Sequence, residues 1–222
     1  MVVALSVVLI VTLFAACSSS SVPSVSPTNA FDSALSTMAT TQDFHVLVQS
    51  HTDGGVPEST DVIESLEGVH LHAVSGGSQT EAVIVGNRGW ERSPSTGDRW
   101  TEMLDLRVNG TRHELNPDAE STCIRTEHGR LRSLGVRSFA RQRLWAIADD
   151  GSGPGGIKGT WYLSRTTPYR IIGFTGTGPA GPHPPPDCGA AGPGSIERLY
   201  SYEAAPPVTV PVDVAVPPTT PS

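Results

Sequence analysis

Met1–Ala16 is a mostly apolar run without a charged side chain. It is shorter than the roughly 20 residues a membrane-spanning helix needs, so it reads as a signal peptide. Residues 18–28, SSSSVPSVSPT, carry no periodic apolar pattern and read as a flexible tether. Helical spacing then appears: Phe31, Leu35 and Met38 fall on one face, with Asn29 or Thr28 as the expected cap. From Phe44 the period drops to two. Phe44, Val46 and Val48 alternate with His45, Leu47 and Gln49, and Thr60–Glu67 alternates again. Val69, Leu71 and Ala73 alternate with His70 and His72, and Glu81–Val85 and Gly89–Arg92 follow across the turn Gly86-Asn87-Arg88. A second helix is expected over Pro117–Glu127, with Pro117 in its first turn and Asn116 as cap. Strand patterns resume at Arg130–Ala140, Arg143–Asp149, Gly159–Arg165, Tyr169–Thr175 and Ser195–Tyr202. The Pro- and Val-rich segment from Pro206 starts like a final edge strand.

Runs of neighbouring strands with two helical patterns predict an α+β fold built on a long antiparallel meander. The expected organisation is a signal peptide over 1–16, a lipidated cysteine and tether over 17–28, one domain over 29–213 and a disordered tail over 214–222.

Composition supports strands and turns over long helices: charged residues are only 17%, while Gly numbers 23 and Pro 19. A net charge of -7 argues against nucleic acid as a partner, because phosphate contacts need a basic surface. The three cysteines divide by context. Cys17 ends the apolar run after Leu13-Phe14-Ala15-Ala16, which resembles a bacterial lipobox, whose cysteine takes a diacylglyceryl group. Phe14 stands where that motif prefers Leu, and no Lys or Arg precedes the run. The alternative is an ordinary signal peptide, or an uncleaved helix, with Cys17 incidental. Cys123 and Cys188 form an even pair in an exported chain and are expected to be bridged; two buried thiols are the alternative. Such a bridge would tie the second helix to the loop Gly176–Gly194, which holds six prolines.

Catalytic and metal chemistry find little footing. His70 and His72 share one strand face, but no third ligand is near, so no metal is expected. There is no G-x-S-x-G elbow, and Gly151-Ser-Gly-Pro-Gly-Gly156 lacks the GK[ST] ending of a phosphate loop. Asn109-Gly110-Thr111 is a formal glycosylation sequon. Trp90, Trp100, Trp145 and Trp161 read as core or cavity-edge residues. No catalytic residue and no cofactor are expected.

The order of features resembles the LolA/LppX-like lipoproteins, especially those of actinobacteria. It runs from the lipobox and Ser-rich tether through Asp43-Phe44-His45-Val46 to Val85-Gly86-Asn87-Arg88-Gly89-Trp90-Glu91-Arg92 and Trp100. It continues with Cys123 and Glu127-His128-Gly129, then Gly159-Thr160-Trp161-Tyr162-Leu163 and Thr167-Pro168-Tyr169-Arg170-Ile171. Leu199-Tyr200-Ser201-Tyr202-Glu203 and Pro207-Val208-Thr209-Val210-Pro211 close it. The resemblance covers residues 30–213 and implies a curved antiparallel sheet, a half-barrel, with one or two helices on its concave side. It also implies a protein held on the outer face of the cell membrane through Cys17, binding or carrying a lipid between sheet and helices. The ligand-lining residues are not singled out by it. Hydrophobic content of 37% and aromatic content of 6% leave little apolar surface for both a core and a large cavity lining. The second reading is therefore a ligand-free interaction or sensory module on the same fold, with an envelope protein as partner.

Overall fold

The computed structural model describes residues 22–178 and 194–214. Helix α1 spans Pro27–Ala39 and buries Ala30, Phe31, Ala34, Leu35 and Met38. Its cap is Ser26, whose side chain accepts from the Asn29 N–H at 3.1 Å. The expected cap lay two or three residues later. Pro27, lacking an N–H, fits the first helical position and shifts the start upstream. Helix α3, Pro117–Glu127, starts where the pattern predicts: Asn116 Oδ1 accepts from the Ala119 N–H at 2.7 Å. Between them lies a helix the pattern did not announce, α2, Asp105–Leu115. Its one buried residue is Val108, so no apolar stripe marks it, and its cap position, Leu104, has no side-chain acceptor.

Eleven strands follow the meander. They are β1 (Phe44–Thr52), β2 (Pro57–Glu64), β3 (Gly68–Ser75), β4 (Ser78–Val85), β5 (Arg88–Arg92) and β6 (Thr101–Glu102). After the helices come β7 (Leu131–Phe139), β8 (Gln142–Asp150), β9 (Lys158–Leu163), β10 (Ile171–Gly178) and β11 (Gly194–Ser201). They form one sheet in the order β6-β5-β4-β3-β2-β1-β11-β10-β9-β8-β7. Two meanders meet where β1 pairs antiparallel with β11, from His45↔Ser201 to Thr52↔Gly194. The sheet is curved and unclosed, with the helices packed on one face. That is the expected half-barrel, with three helices in place of one or two.

Period two sorts the side chains. Phe44, Val46, Val62, Val69, Ile84, Trp145, Ile147, Trp161, Leu163 and Phe174 join Phe31, Leu35 and Met38 in one core cluster on the helix-covered face. The opposite face carries a smaller cluster of Val83, Trp90 and Val208. Val208 belongs to the segment from Pro206, which departs from the expected edge strand. It makes a single parallel bridge, Trp100 with Val214, and otherwise lies across Val83 and Trp90. Pro206, Pro207 and Pro211 have no N–H to donate to a ladder, so the segment packs by its valines.

Candidate binding site on the helix-covered face

The interface between helices and sheet is filled. Trp161 stacks on Phe174 with ring centroids 4.2 Å apart, Phe31 reaches Trp161 at 5.2 Å, and His128 meets Phe31 edge-on at 5.2 Å. What remains open beneath α3 is a recess of about 30 Å³ lined by Ile124, His128, Ile157, Trp161, Phe174 and Arg198, among others. That holds one or two waters, against roughly 300–1,000 Å³ for a ligand pocket.

A charged network closes the inner side of this recess. Arg198 is 8% exposed, and its NH1 donates to Glu120 Oε1 on α3 at 2.7 Å. The Tyr200 hydroxyl donates to the same oxygen at 2.7 Å. Burial by itself lowers the pKa of Arg198, but the Glu120 carboxylate and Tyr200 hold it above its ordinary value. Burial, reinforced by Glu120, pushes Tyr200 well above the usual phenol range. The guanidinium is thus already neutralised by a protein carboxylate, and α3 is fixed to β11 by a buried ion pair. On β8, Asp149, 3% exposed, accepts from the Gly129 N–H at 2.8 Å, the Gly151 N–H at 3.1 Å and Trp161 Nε1 at 3.1 Å. It locks the exit of α3 to the aromatic floor.

The far half of the same face is covered by α2, and more loosely. Val108 sits on Gly89: a Cβ at that position would lie 2.8 Å from Val108 Cγ2 and 3.0 Å from Met103 Sδ. Glycine is what lets the helix approach the strand so closely. Arg107 pairs with Glu91 at 2.6 Å, and Arg112 donates to the Gly86 carbonyl. Glu64, at the end of β2, faces Arg112. Burial raises its pKa from 4.5 to about 7 against the pull of that arginine, and Glu64 Oε2 has no hydrogen-bond partner among the described residues. Leu104 and Leu106 point outward, 80% and 86% exposed.

Of the residues singled out in the sequence, Cys123 is buried on α3. Cys17 and Cys188 lie outside the described residues. Trp90, Trp145 and Trp161 are buried, and Trp161 forms the recess floor. His70 and His72 both stand on β3, and among the described residues no group of three or more His, Cys, Asp or Glu is placed to hold a metal. Arg198, Glu120, Asp149 and Glu64 were not anticipated. One signal was present: along β11 the inward phase reads Ile196, Arg198, Tyr200, and an arginine in an apolar phase needs a buried partner.

No family model matches the chain, and no curated protein sequence matches it. Among solved structures it is similar to LprF from Mycobacterium bovis, at 11% identity and a TM-score of 0.53, over 88% of this chain and 100% of that one. MucB follows at 12% identity and 0.44, over 84% of this chain and 63% of that one. A LolA superfamily protein from Nitrosomonas europaea has 12% identity and 0.26, over 80% and 92%. The likeness to LprF is one of architecture; the two lower scores carry no weight here. The curved antiparallel half-barrel expected from the sequence is the fold of this chain, and LprF shares that architecture.

Proposed function

We propose that the protein is a cell-envelope lipoprotein, anchored on the extracytoplasmic face through Cys17, whose half-barrel binds an apolar chain such as the acyl part of a lipid under α2. The observation that carries this is the weak seat of α2 over an apolar strip. Val108 is its one fully buried residue, worth roughly 1.5–3 kcal/mol, with Leu115 partly buried, while Ile84 and Met103 line the surface around Gly89. Displacing α2 opens the far half of the face without touching the Glu120–Arg198 pair that holds α3. The closed recess fits no carrier cargo, so binding proceeds through an open form, and the ligand replaces Val108 against Gly89. Among the described residues no helix is long and apolar enough to cross a membrane.

The filled interface specifically favours a second reading, an interaction module on the same fold that holds no ligand. Native mass spectrometry of the protein before and after organic extraction separates the two. A removable adduct that fragments as a lipid supports the carrier. A bare mass after incubation with envelope lipids moves the interaction module to first place.

A further inference from the structure

Charge is divided unequally over this sheet. Residues 131–178, which build β7 to β10, carry seven basic side chains against two acidic ones, a surplus of five in a chain whose net charge is -7. The rest of the chain therefore holds eight basic against twenty acidic residues, a net of -12. The surplus concentrates on the outermost hairpin. Arg132 and Arg137 on β7, Arg141 in the turn and Arg143 at the start of β8 are all exposed. None is ion-paired among the described residues, whereas Arg88, Arg92, Arg107 and Arg125 elsewhere each meet a carboxylate. The only acidic residues on these four strands are Asp149 and Asp150, at the end of β8 away from the turn, where Arg132 stands opposite Ala148.

Charges on an edge strand also keep it from pairing with another sheet, but that role accepts either sign. Four unpaired arginines on a chain this acidic select for a negative partner. The same tip carries Phe139 and Tyr162, half-buried and stacked at 4.2 Å with their planes 9° apart. Arginine beside amphipathic aromatics is the composition of a surface that sits at lipid headgroups.

We propose that the β7–β8 hairpin docks the domain onto an anionic membrane surface through Arg132, Arg137, Arg141 and Arg143. The choice of a bilayer over another polyanion rests on the anchor proposed above. From Cys17 to Ser26 the chain spans nine residues, up to about 30 Å of reach. The 13 residues of α1 rise about 20 Å and lead through Phe44 into β1. The start of β1 shares its end of the sheet with the end of β11, through His45↔Ser201, and β11, β10, β9 and β8 are successive antiparallel neighbours. The register Trp145↔Leu163 puts the arginine turn at that same end. The tether is therefore long enough for the tip to touch the bilayer that holds it.

The test uses the full chain carrying Cys17→Ser, which accepts no acyl group, with phosphatidylglycerol-containing and pure phosphatidylcholine vesicles in a co-sedimentation assay. Any contribution from the apolar residues 1–16 is common to both lipids. The expected result is partition into the anionic vesicles about 100-fold stronger at low salt, falling towards parity at about 1 M salt. The quadruple Arg→Gln variant should lose the preference, and the quadruple Arg→Lys variant should keep it; circular dichroism confirms that both remain folded. Equal partition into both lipids, or a Gln variant that binds like the parent, overturns the proposal. So does tighter binding to inorganic polyphosphate than to the vesicles. Failure of the anchor is read separately, from the mass of the N-terminal peptide of the exported protein.

Discussion

Glu64 is where pH should act on the closure of α2. Its carboxyl is half-buried, Oε2 has no hydrogen-bond partner among the described residues, and burial raises its pKa from 4.5 to about 7 although Arg112 pulls the other way. Between those two values the folded protein holds a proton that the unfolded chain has released. Stability from this group is thus fully present below 4.5 and is lost as pH rises through about 7. At about 1.4 kcal/mol per pH unit the interval corresponds to about 3 kcal/mol, and solvent screening of a half-exposed carboxyl reduces that to about 1–2 kcal/mol. Glu64→Gln removes the charge and keeps the shape. At pH 8 it should be more stable than the parent by that amount, which is a few degrees in Tm for a chain of this size. At pH 4.5 the two proteins should melt together. Every other ionisable group is common to both proteins and cancels in the difference. Limited trypsinolysis locates the effect: at pH 8 cleavage at Arg107 and Arg112 should be faster in the parent than in the variant. If Glu64→Gln is less stable than the parent at pH 8, the attraction to Arg112 outweighs burial and the reasoning fails.

Asp149→Ala leaves the Gly129, Gly151 and Trp161 N–H groups without their acceptor; a loss of about 3 kcal/mol is expected in thermal denaturation, with Asp149→Asn milder. Val208→Asp places a carboxylate between Val83 and Trp90, so the segment from Pro206 should detach, and tryptophan emission should shift to the red without loss of the strand signal in circular dichroism. A bridge between Cys123 and Cys188, 65 residues apart, would contribute about 4 kcal/mol. Cys123→Ser should therefore lower Tm by several degrees, and peptide mapping of the non-reduced protein should yield the two cysteines in one cross-linked fragment; separate peptides would refute the pairing.

The strands were legible because each has one face on the core, and period two survives wherever one face is buried. α3 was legible for a local reason, since Asn116 and Pro117 specify a start whatever surrounds them. α2 was not, because a helix that buries Val108 alone leaves no stripe in the sequence. β6 is two residues long, below the length at which alternation means anything. The segment from Pro206 has the valines of a strand and the prolines that forbid a ladder; the pattern recorded the first, and the missing N–H groups decided the outcome. The site was the least legible part. Glu120 and Arg198 are 78 positions apart, and Glu64 is buried with Arg112 of a later helix opposing the rise in its pKa. Only folding brings these charges together.

The closed interface and the loose α2 bear on each other quantitatively. If Val108 alone seated α2, at roughly 2 kcal/mol, the lid would be open in a few per cent of molecules. A ligand that binds only the open form then loses about 30-fold in apparent affinity. Free in solution, a domain so built would compete poorly for a dilute apolar ligand. Held beside a bilayer by an anchor on Cys17, it would meet acyl chains at far higher local concentration, and that factor would be recovered by proximity. A lid closed by one valine also excludes water from Ile84 and Met103 while the site is empty, which a permanently open apolar strip of this kind could not do. A filled half-barrel and a lipid-binding role are therefore compatible under one condition: the opening must lie at α2, the weakest contact on the face, and not at α3, where Arg198 is paired with Glu120.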